Sequence, residues 1–159
     1  SSNKDKDSDE VNEIIEFVSS IRSFKNEIEI SPGSFVKIQA NKINPEIKKF
    51  IENNSNTLKK IGRINEFVTE DIKKPSANLI IKGEIFKIYF DEDVDLSKIK
   101  ETLLNKKNKI EKEMEKINTR LNNKSFIERA PNDIVEQEKS NFINLEKDVN
   151  KLNYTLESL

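Results

Sequence analysis

The stretch "LNNKSFIERAPNDIVEQEK", residues 121–139, separates two long helical patterns in this chain. Phe126 and Ile127 form an apolar pair inside a polar segment, and Arg-Ala-Pro follows them. Proline suits the first position of a helix, and Asp133 in the first turn would interact favourably with the helix dipole. The stretch therefore predicts the tip of a helical hairpin, at about residues 122–131, with the return helix starting at Pro131.

Heptad patterns on both sides of the tip support the hairpin. Asp95 can cap the outgoing helix, in which four residues recur every seven positions: Leu96, Leu103, Ile110 and Ile117. The return helix carries its apolar residues in a four-three alternation: Val135, Phe142, Leu145, Val149, Leu152, Leu156 and Leu159. Residues 95–159 are therefore predicted to form a long antiparallel two-helix coiled coil.

Residues 33–94 have a different pattern, typical of a small α+β connector. "NLIIKGEIFKIYF" contains two strands around Lys82-Gly83, a two-residue turn in which glycine supplies a positive φ. "SFVKIQA" and "INEFV" predict two more strands, and "NPEIKKFIENN" and "NTLKKIG" two short helices. An amphipathic helix within 11–32 is a candidate to cover the sheet. Residues 1–10 are expected to be a flexible tail.

Composition narrows the functional classes. The chain is 34% hydrophobic and 36% charged, with a net charge of -1 and neither Cys nor His. We expect a cytoplasmic protein without disulfides, without a membrane span and without the usual zinc or base chemistry. No phosphate loop, paired carboxylates or activated nucleophile is present, so an autonomous enzyme is not expected. The acidic triplet at 91–93 is interpreted as a solvated turn rather than a metal site.

The two hairpin helices differ in charge. Residues 96–129 contain ten basic and five acidic side chains, whereas residues 130–159 contain three basic and six acidic ones. At ~100° per residue, one stripe beside the apolar seam collects four cations: Lys109, Lys112, Lys116 and Arg120. Such a row can follow a nucleic-acid backbone. An ordinary solvated face, with Glu113 pairing along the helix, is the alternative.

The tip also has two interpretations. Phe126 and Ile127 can plug the open end of the hairpin, which is a purely structural role. Alternatively they can present an apolar surface for RNA bases, with Arg129 holding a phosphate. The sequence leaves both open.

The tip "LNNKSFIERAPNDIVEQEKSNF" resembles the C-terminal coiled-coil arm of bacterial-type valyl-tRNA synthetases. "IIEFVSSIRSFKNEIEISPG" is similar to the last helix of the family's anticodon-binding domain, with Arg22 and Lys25 at its two basic positions. "GEIFKIYFDEDVDLSKI" is also similar to the family's sequence, with Asp95 at the entry to the arm. Two departures are Lys25, where the family has arginine, and Lys98, near an acidic position that follows Asp95.

The resemblance implies a C-terminal fragment of a valine–tRNA ligase: residues 11–32 end the anticodon-binding region, 33–94 form a connector and 95–159 form the arm. The parent enzyme would attach valine to tRNA(Val) with ATP and Mg; the fragment would lack the catalytic and editing domains and bind no cofactor. Its partners would be the tRNA elbow and the remaining synthetase chain, in a monomer. The residues expected to contact tRNA are Lys109, Lys112, Lys116, Arg120, Lys124, Phe126, Ile127, Arg129, Arg22 and Lys25. The alternative is a structural or protein-interaction hairpin, prefoldin-like or docking, without an RNA role.

Overall fold

Helix α1, Ser2–Glu27, opens the structure, a computed structural model that describes residues 2–40 and 42–159. The helix begins nine residues before Val11 and therefore includes the polar residues that precede the amphipathic pattern. The mobility expected of residues 1–10 stays a prediction. Ser1 and, in the connector, Asn41 lie outside the described residues. The chain leaves α1 through Glu29, whose φ of 59° is left-handed.

A four-stranded mixed sheet forms the connector. Its strands are β1 (Val36–Gln39), β2 (Ile64–Val68), β3 (Ala77–Ile81) and β4 (Glu84–Phe90), in the spatial order β2-β1-β4-β3. β1 pairs with β2 in parallel, and β4 pairs antiparallel with both β1 and β3. Helices α2 (Pro45–Asn53) and α3 (Ser55–Gly62) make the crossover that a parallel pair requires. The strands and helices predicted for the connector are confirmed.

The β3–β4 hairpin turns at Lys82-Gly83, as predicted. Both residues have positive φ, 53° and 76°. Positive φ at both central positions defines a type I′ turn, whose twist matches that of the flanking strands. This turn sets the register in which Leu79 faces Phe86 and Ile81 faces Glu84.

Helix α1 covers one face of the sheet, which confirms its expected role. The Phe17 ring meets the Phe86 ring edge-on at 5.8 Å between centroids, and Phe24 stacks on Phe90 at 6.3 Å. Burying each such ring stabilises the fold by about 1.5–3 kcal/mol. The remaining core residues around this face include Val18, Ile21, Ile28, Val36, Ile38, Leu58, Ile64, Ala77 and Ile88.

The chain continues into α4 (Leu96–Leu121), α5 (Lys124–Arg129) and α6 (Asn132–Leu156). Asp95 caps α4 as predicted, because its Oδ1 accepts a hydrogen bond from the Lys98 backbone N–H at 3.2 Å. α4 and α6 pack as the predicted hairpin, so the α+β architecture is confirmed.

Two details of the tip differ from the prediction. The expected loop contains a short helix, α5, because Asn123 caps its first turn. Pro131 is not the first helical residue: with ψ at 144° it precedes α6, and its carbonyl accepts the backbone N–H groups of Ile134 and Val135.

The chain divides into two compact units within α4: a first unit through Ile99, joined by Ser158 and Leu159, and a second unit from Lys100 to Glu157.

Candidate nucleic-acid interface

The apolar seam of the second unit fixes how α4 presents its charges. Leu103 and Ile117 of α4 are buried, as are Val135, Val149 and Leu152 of α6. All five stand at predicted heptad positions. Because the seam holds one side of α4 inward, residues well to its side face solvent.

Three of the four predicted stripe cations, Lys109, Lys112 and Lys116, are exposed on α4. None of the three forms an ion pair with any residue within 2–40 or 42–159. Glu113, which the sequence offered as an intrahelical partner, pairs with neither Lys109 nor Lys116 in this part of the chain. The three ammonium groups are therefore available to an anionic partner.

Arg120, the fourth stripe cation, is placed differently. Its Nη2 donates to Glu138 Oε2 on α6 at 2.8 Å. The arginine side chain is 43% exposed and the glutamate only 19%. Arg120 thus joins the two helices, and a phosphate would have to compete with Glu138 for its guanidinium.

A groove of about 380 Å³ lies between α4 and α6 beside the stripe. Ile110, Ile117 and Leu145 contribute apolar surface, and polar groups complete the lining: Lys109, Glu113, Asn141 and Asn144. Sequence reasoning missed this groove. The only signal for it was the pair of asparagines three positions apart on the return helix, next to the seam residue Leu145.

The two apolar residues of the tip, Phe126 and Ile127, differ in their exposure to solvent. The Asn123 side chain accepts the backbone N–H groups of Ser125 at 3.0 Å and Phe126 at 3.4 Å, which satisfies two free donors at the start of α5. On that helix Phe126 is half-buried and Ile127 is 40% exposed. The cations Lys124 and Arg129 are both exposed. The tip therefore offers one apolar side chain and two cations to solvent.

Lys25, expected from the resemblance to contact RNA, is fully buried in the first unit. Its Nζ donates to three backbone carbonyls: Ser34 at 2.6 Å, Gly62 at 3.1 Å and Pro32 at 3.3 Å. Burial, with Arg63 and Arg22 nearby, lowers the pKa of Lys25 from 10.5 to about 8. This placement argues against a direct RNA contact by Lys25, because its donors are used inside the fold. Arg22 is exposed on α1.

Within residues 2–40 and 42–159, no group of three or more His, Cys, Asp or Glu side chains is arranged to hold a metal ion. Among the described helices there is no uncharged apolar run of the length that a membrane span requires. Asp91 of the acidic triplet accepts a hydrogen bond from Asn65 Nδ2 at 3.3 Å.

Comparison with known proteins gives a consistent set of relatives. The family described as "Valyl tRNA synthetase tRNA binding arm" matches residues 95–159. The valine–tRNA ligase of Pelagibacter ubique is 46% identical over 156 residues, covering 98% of this chain and 18% of that protein. The Aquifex aeolicus enzyme is 25% identical, covering 98% of this chain and 13% of that enzyme. The Campylobacter jejuni enzyme is 38% identical over 128 residues, covering 78% of this chain and 14% of that enzyme. The chain thus spans less than a fifth of the length of each.

Proposed function

The chain belongs to the valyl-tRNA synthetase family, matching its C-terminal region with the tRNA-binding arm, and we propose that its helical hairpin grips the elbow of tRNA. The elbow is where the D and T loops meet, and holding it would keep the tRNA on the parent enzyme. The observation that carries the proposal is the row of three exposed lysines on α4, Lys109, Lys112 and Lys116, which form no ion pair within residues 2–40 and 42–159.

The spacing of these lysines suits a phosphate backbone. At a rise of about 1.5 Å per residue, the row is about 10 Å long, enough for two or three successive phosphates of one strand. Each contact releases condensed counterions, so the affinity depends steeply on salt. Arg120 is a weaker contributor, because Glu138 occupies its guanidinium.

The tip supplies the second part of the grip. Ile127 is exposed enough to pack against a base or ribose, while Lys124 and Arg129 can reach phosphates on either side. Phe126, half-buried, supports the helix that presents Ile127.

In the parent protein, this segment would bind tRNA(Val) as part of a cytoplasmic, monomeric enzyme that attaches valine to tRNA with ATP and Mg. The segment would contribute binding energy and no chemistry, and the cofactor sites would lie in the rest of the synthetase chain.

The test is tRNA binding by the whole 159-residue chain across a salt series. In a Lys109→Ala, Lys112→Ala, Lys116→Ala variant, we expect weaker binding and a log–log salt slope that is smaller by about 2 to 3. The matched control removes three exposed lysines from the acidic helix: Lys139→Ala, Lys147→Ala and Lys151→Ala. If both triple variants bind like the parent, the stripe does not contact tRNA.

The competing function is a protein-interaction hairpin. Three apolar side chains on the arm favour it, since Leu104, Ile134 and Ile143 are 46%, 40% and 54% exposed. It predicts a salt slope near zero for tRNA and self-association or capture of a protein partner, so the same titration distinguishes the two functions.

A further inference from the structure

The groove between α4 and α6 has an apolar floor that the packing of the two helices does not fully cover. Ile110 and Ile117 stand one heptad apart on α4, and Leu145 of α6 completes the apolar part of the lining. Ile117 is buried, whereas Ile110 and Leu145 are only half-buried. Apolar surface is therefore accessible beside the lysine stripe, and the phosphate contacts proposed above do not use it.

Polar side chains form the rest of the groove. Asn141 and Asn144 lie three positions apart on α6, so both amides stand on one side of that helix. Both are exposed, as is Glu113 on α4. Within residues 2–40 and 42–159, these three side chains take part in no hydrogen bond or ion pair. Two amides and one carboxylate are therefore available to a ligand.

This combination fits a nucleobase better than a phosphate. An apolar floor accommodates the face of a base, and each amide has both a donor and an acceptor for its edge. The Glu113 carboxylate would repel a phosphate inside the groove, but it can accept a hydrogen bond from an amino group of a base. The volume of about 380 Å³ is near the lower end for small-ligand pockets, which suits a single base.

The position of the groove favours RNA as the source of that base. Lys109 belongs both to the groove lining and to the stripe, and Lys112 follows it one turn later. A phosphate bound at Lys109 would bring the nucleoside attached to it to the mouth of the groove. An apolar protein side chain would cover the floor but leave the amides and Glu113 without partners, which costs free energy when they are buried.

We propose that the α4–α6 groove holds one unpaired base of a bound tRNA. The face of the base packs on Ile110 and Leu145, and its edge is hydrogen-bonded to Asn141 and Asn144. Lys109 binds the phosphate of the same nucleotide. The inference rests on the proposed function for its ligand, but it gives α6, the acidic helix, a role in reading a base that the lysine stripe does not involve.

The test compares two matched double variants of the whole chain, titrated with a tRNA(Val) transcript across a salt series. Asn141→Ala with Asn144→Ala removes the proposed base contacts. Asn150→Ala with Asn153→Ala is the control, because these asparagines have the same spacing on α6, are exposed and lie outside the groove lining. Alanine has the higher helix propensity, so both variants should keep the hairpin, and thermal unfolding verifies this.

We expect the groove variant to bind tRNA about tenfold more weakly, because two neutral hydrogen bonds are lost. Its salt slope should equal that of the parent, since no charge is removed. The control variant should match the parent in affinity and in slope.

A second measurement identifies the base directly. The tRNA is probed with dimethyl sulfate, kethoxal and a carbodiimide, which together modify the edges of all four bases. One base should be protected in the complex with the parent chain and become reactive again in the saturated complex with the groove variant. A purely structural role of the two asparagines would leave this protection unchanged.

Three outcomes overturn the site: a groove variant that binds tRNA like the parent, equal losses in the groove and control variants, or a complex with the parent in which no base is protected. The first of these is also the result expected if the groove takes a protein side chain instead.

Failure of the lysine stripe is separable from failure of the groove. If the Lys109, Lys112 and Lys116 triple variant binds like the parent while the groove variant binds weakly with an unchanged slope, the stripe proposal fails and the base contacts stand. If only the lysine triple variant is impaired, the stripe stands and the groove proposal fails.

Discussion

Arg120 of α4 donates to Glu138 of α6 at 2.8 Å, and this contact joins the two helices just before the hairpin tip. The glutamate is the more shielded partner, at 19% exposure against 43% for the arginine. Because the pair is partly solvated, its coupling is about 0.2–1 kcal/mol. The pair also occupies one guanidinium of the cation stripe, the group that the proposed tRNA site would otherwise use.

Replacing Glu138 with Gln is therefore expected to strengthen tRNA binding by the arm. The change releases the Arg120 guanidinium and removes a negative charge beside it, so the salt slope should increase by up to about 0.9, the value for one phosphate contact. Glu136→Gln is the control, because Glu136 pairs with Lys139 on the same helix and not with α4. Unchanged affinity in Glu138→Gln would mean that Arg120 does not reach the RNA.

The two apolar tip residues are expected to respond differently to truncation. Ile127→Ala should weaken tRNA binding while leaving thermal stability nearly unchanged, because Ile127 is 40% exposed. Phe126→Ala should chiefly lower the stability of the hairpin, because its ring is half-buried. Circular dichroism melts and tRNA titrations of both variants measure the separation. If both residues only plug the hairpin, both variants should lose thermal stability, and neither should lose tRNA affinity beyond what its loss of folded protein explains.

Gly83→Ala should destabilise the first unit by about 1 kcal/mol or more, because φ at this turn position is +76° and L-residues are disfavoured there. No heavy atom lies within 4 Å of the added Cβ, so the cost is conformational rather than steric. Gly33→Ala is the matched control: its φ is not positive and its Cβ would lie 3.6 Å from Ser31 Oγ, an ordinary contact. Urea unfolding of both variants measures the difference, and equal stabilities would contradict the type I′ turn.

The burial of Lys25 predicts a pH dependence of stability. Its pKa is lowered from 10.5 to about 8 in the folded state, so the unfolded chain binds more protons between these two values. The free energy of unfolding contributed by this group therefore rises as pH increases from about 8 to 10.5. Lys25→Met should lack that rise and, near neutral pH, should be less stable, because three backbone carbonyls lose their donor. Urea unfolding of the parent and the variant across this pH range measures it, and parallel curves would show that Lys25 is not responsible.

Much of this fold could be read from local patterns. The seven-residue repeat through Leu103 and Ile117 predicted which side of α4 is buried, because helix geometry ties spacing to direction. Lys82-Gly83 predicted the turn and Asp95 the helix cap, since each depends on the backbone of a few adjacent residues. Exposure of Lys109, Lys112 and Lys116 followed from the same periodicity.

The roles of Lys25, Arg120 and Phe126 needed the tertiary structure. Lys25 and Arg120 are basic residues in helical segments and resemble the stripe lysines in sequence. Their difference comes from groups that the fold brings close: the Gly62 carbonyl 37 positions from Lys25, and the Glu138 carboxylate 18 positions from Arg120. Likewise, adjacent Phe126 and Ile127 differ only in which side of α5 meets the protein. The sequence by itself determined the elements and the side on which the cations lie, because those depend on local spacing. Only the tertiary structure decided which cations are already engaged, because burial and pairing depend on atoms distant in the chain.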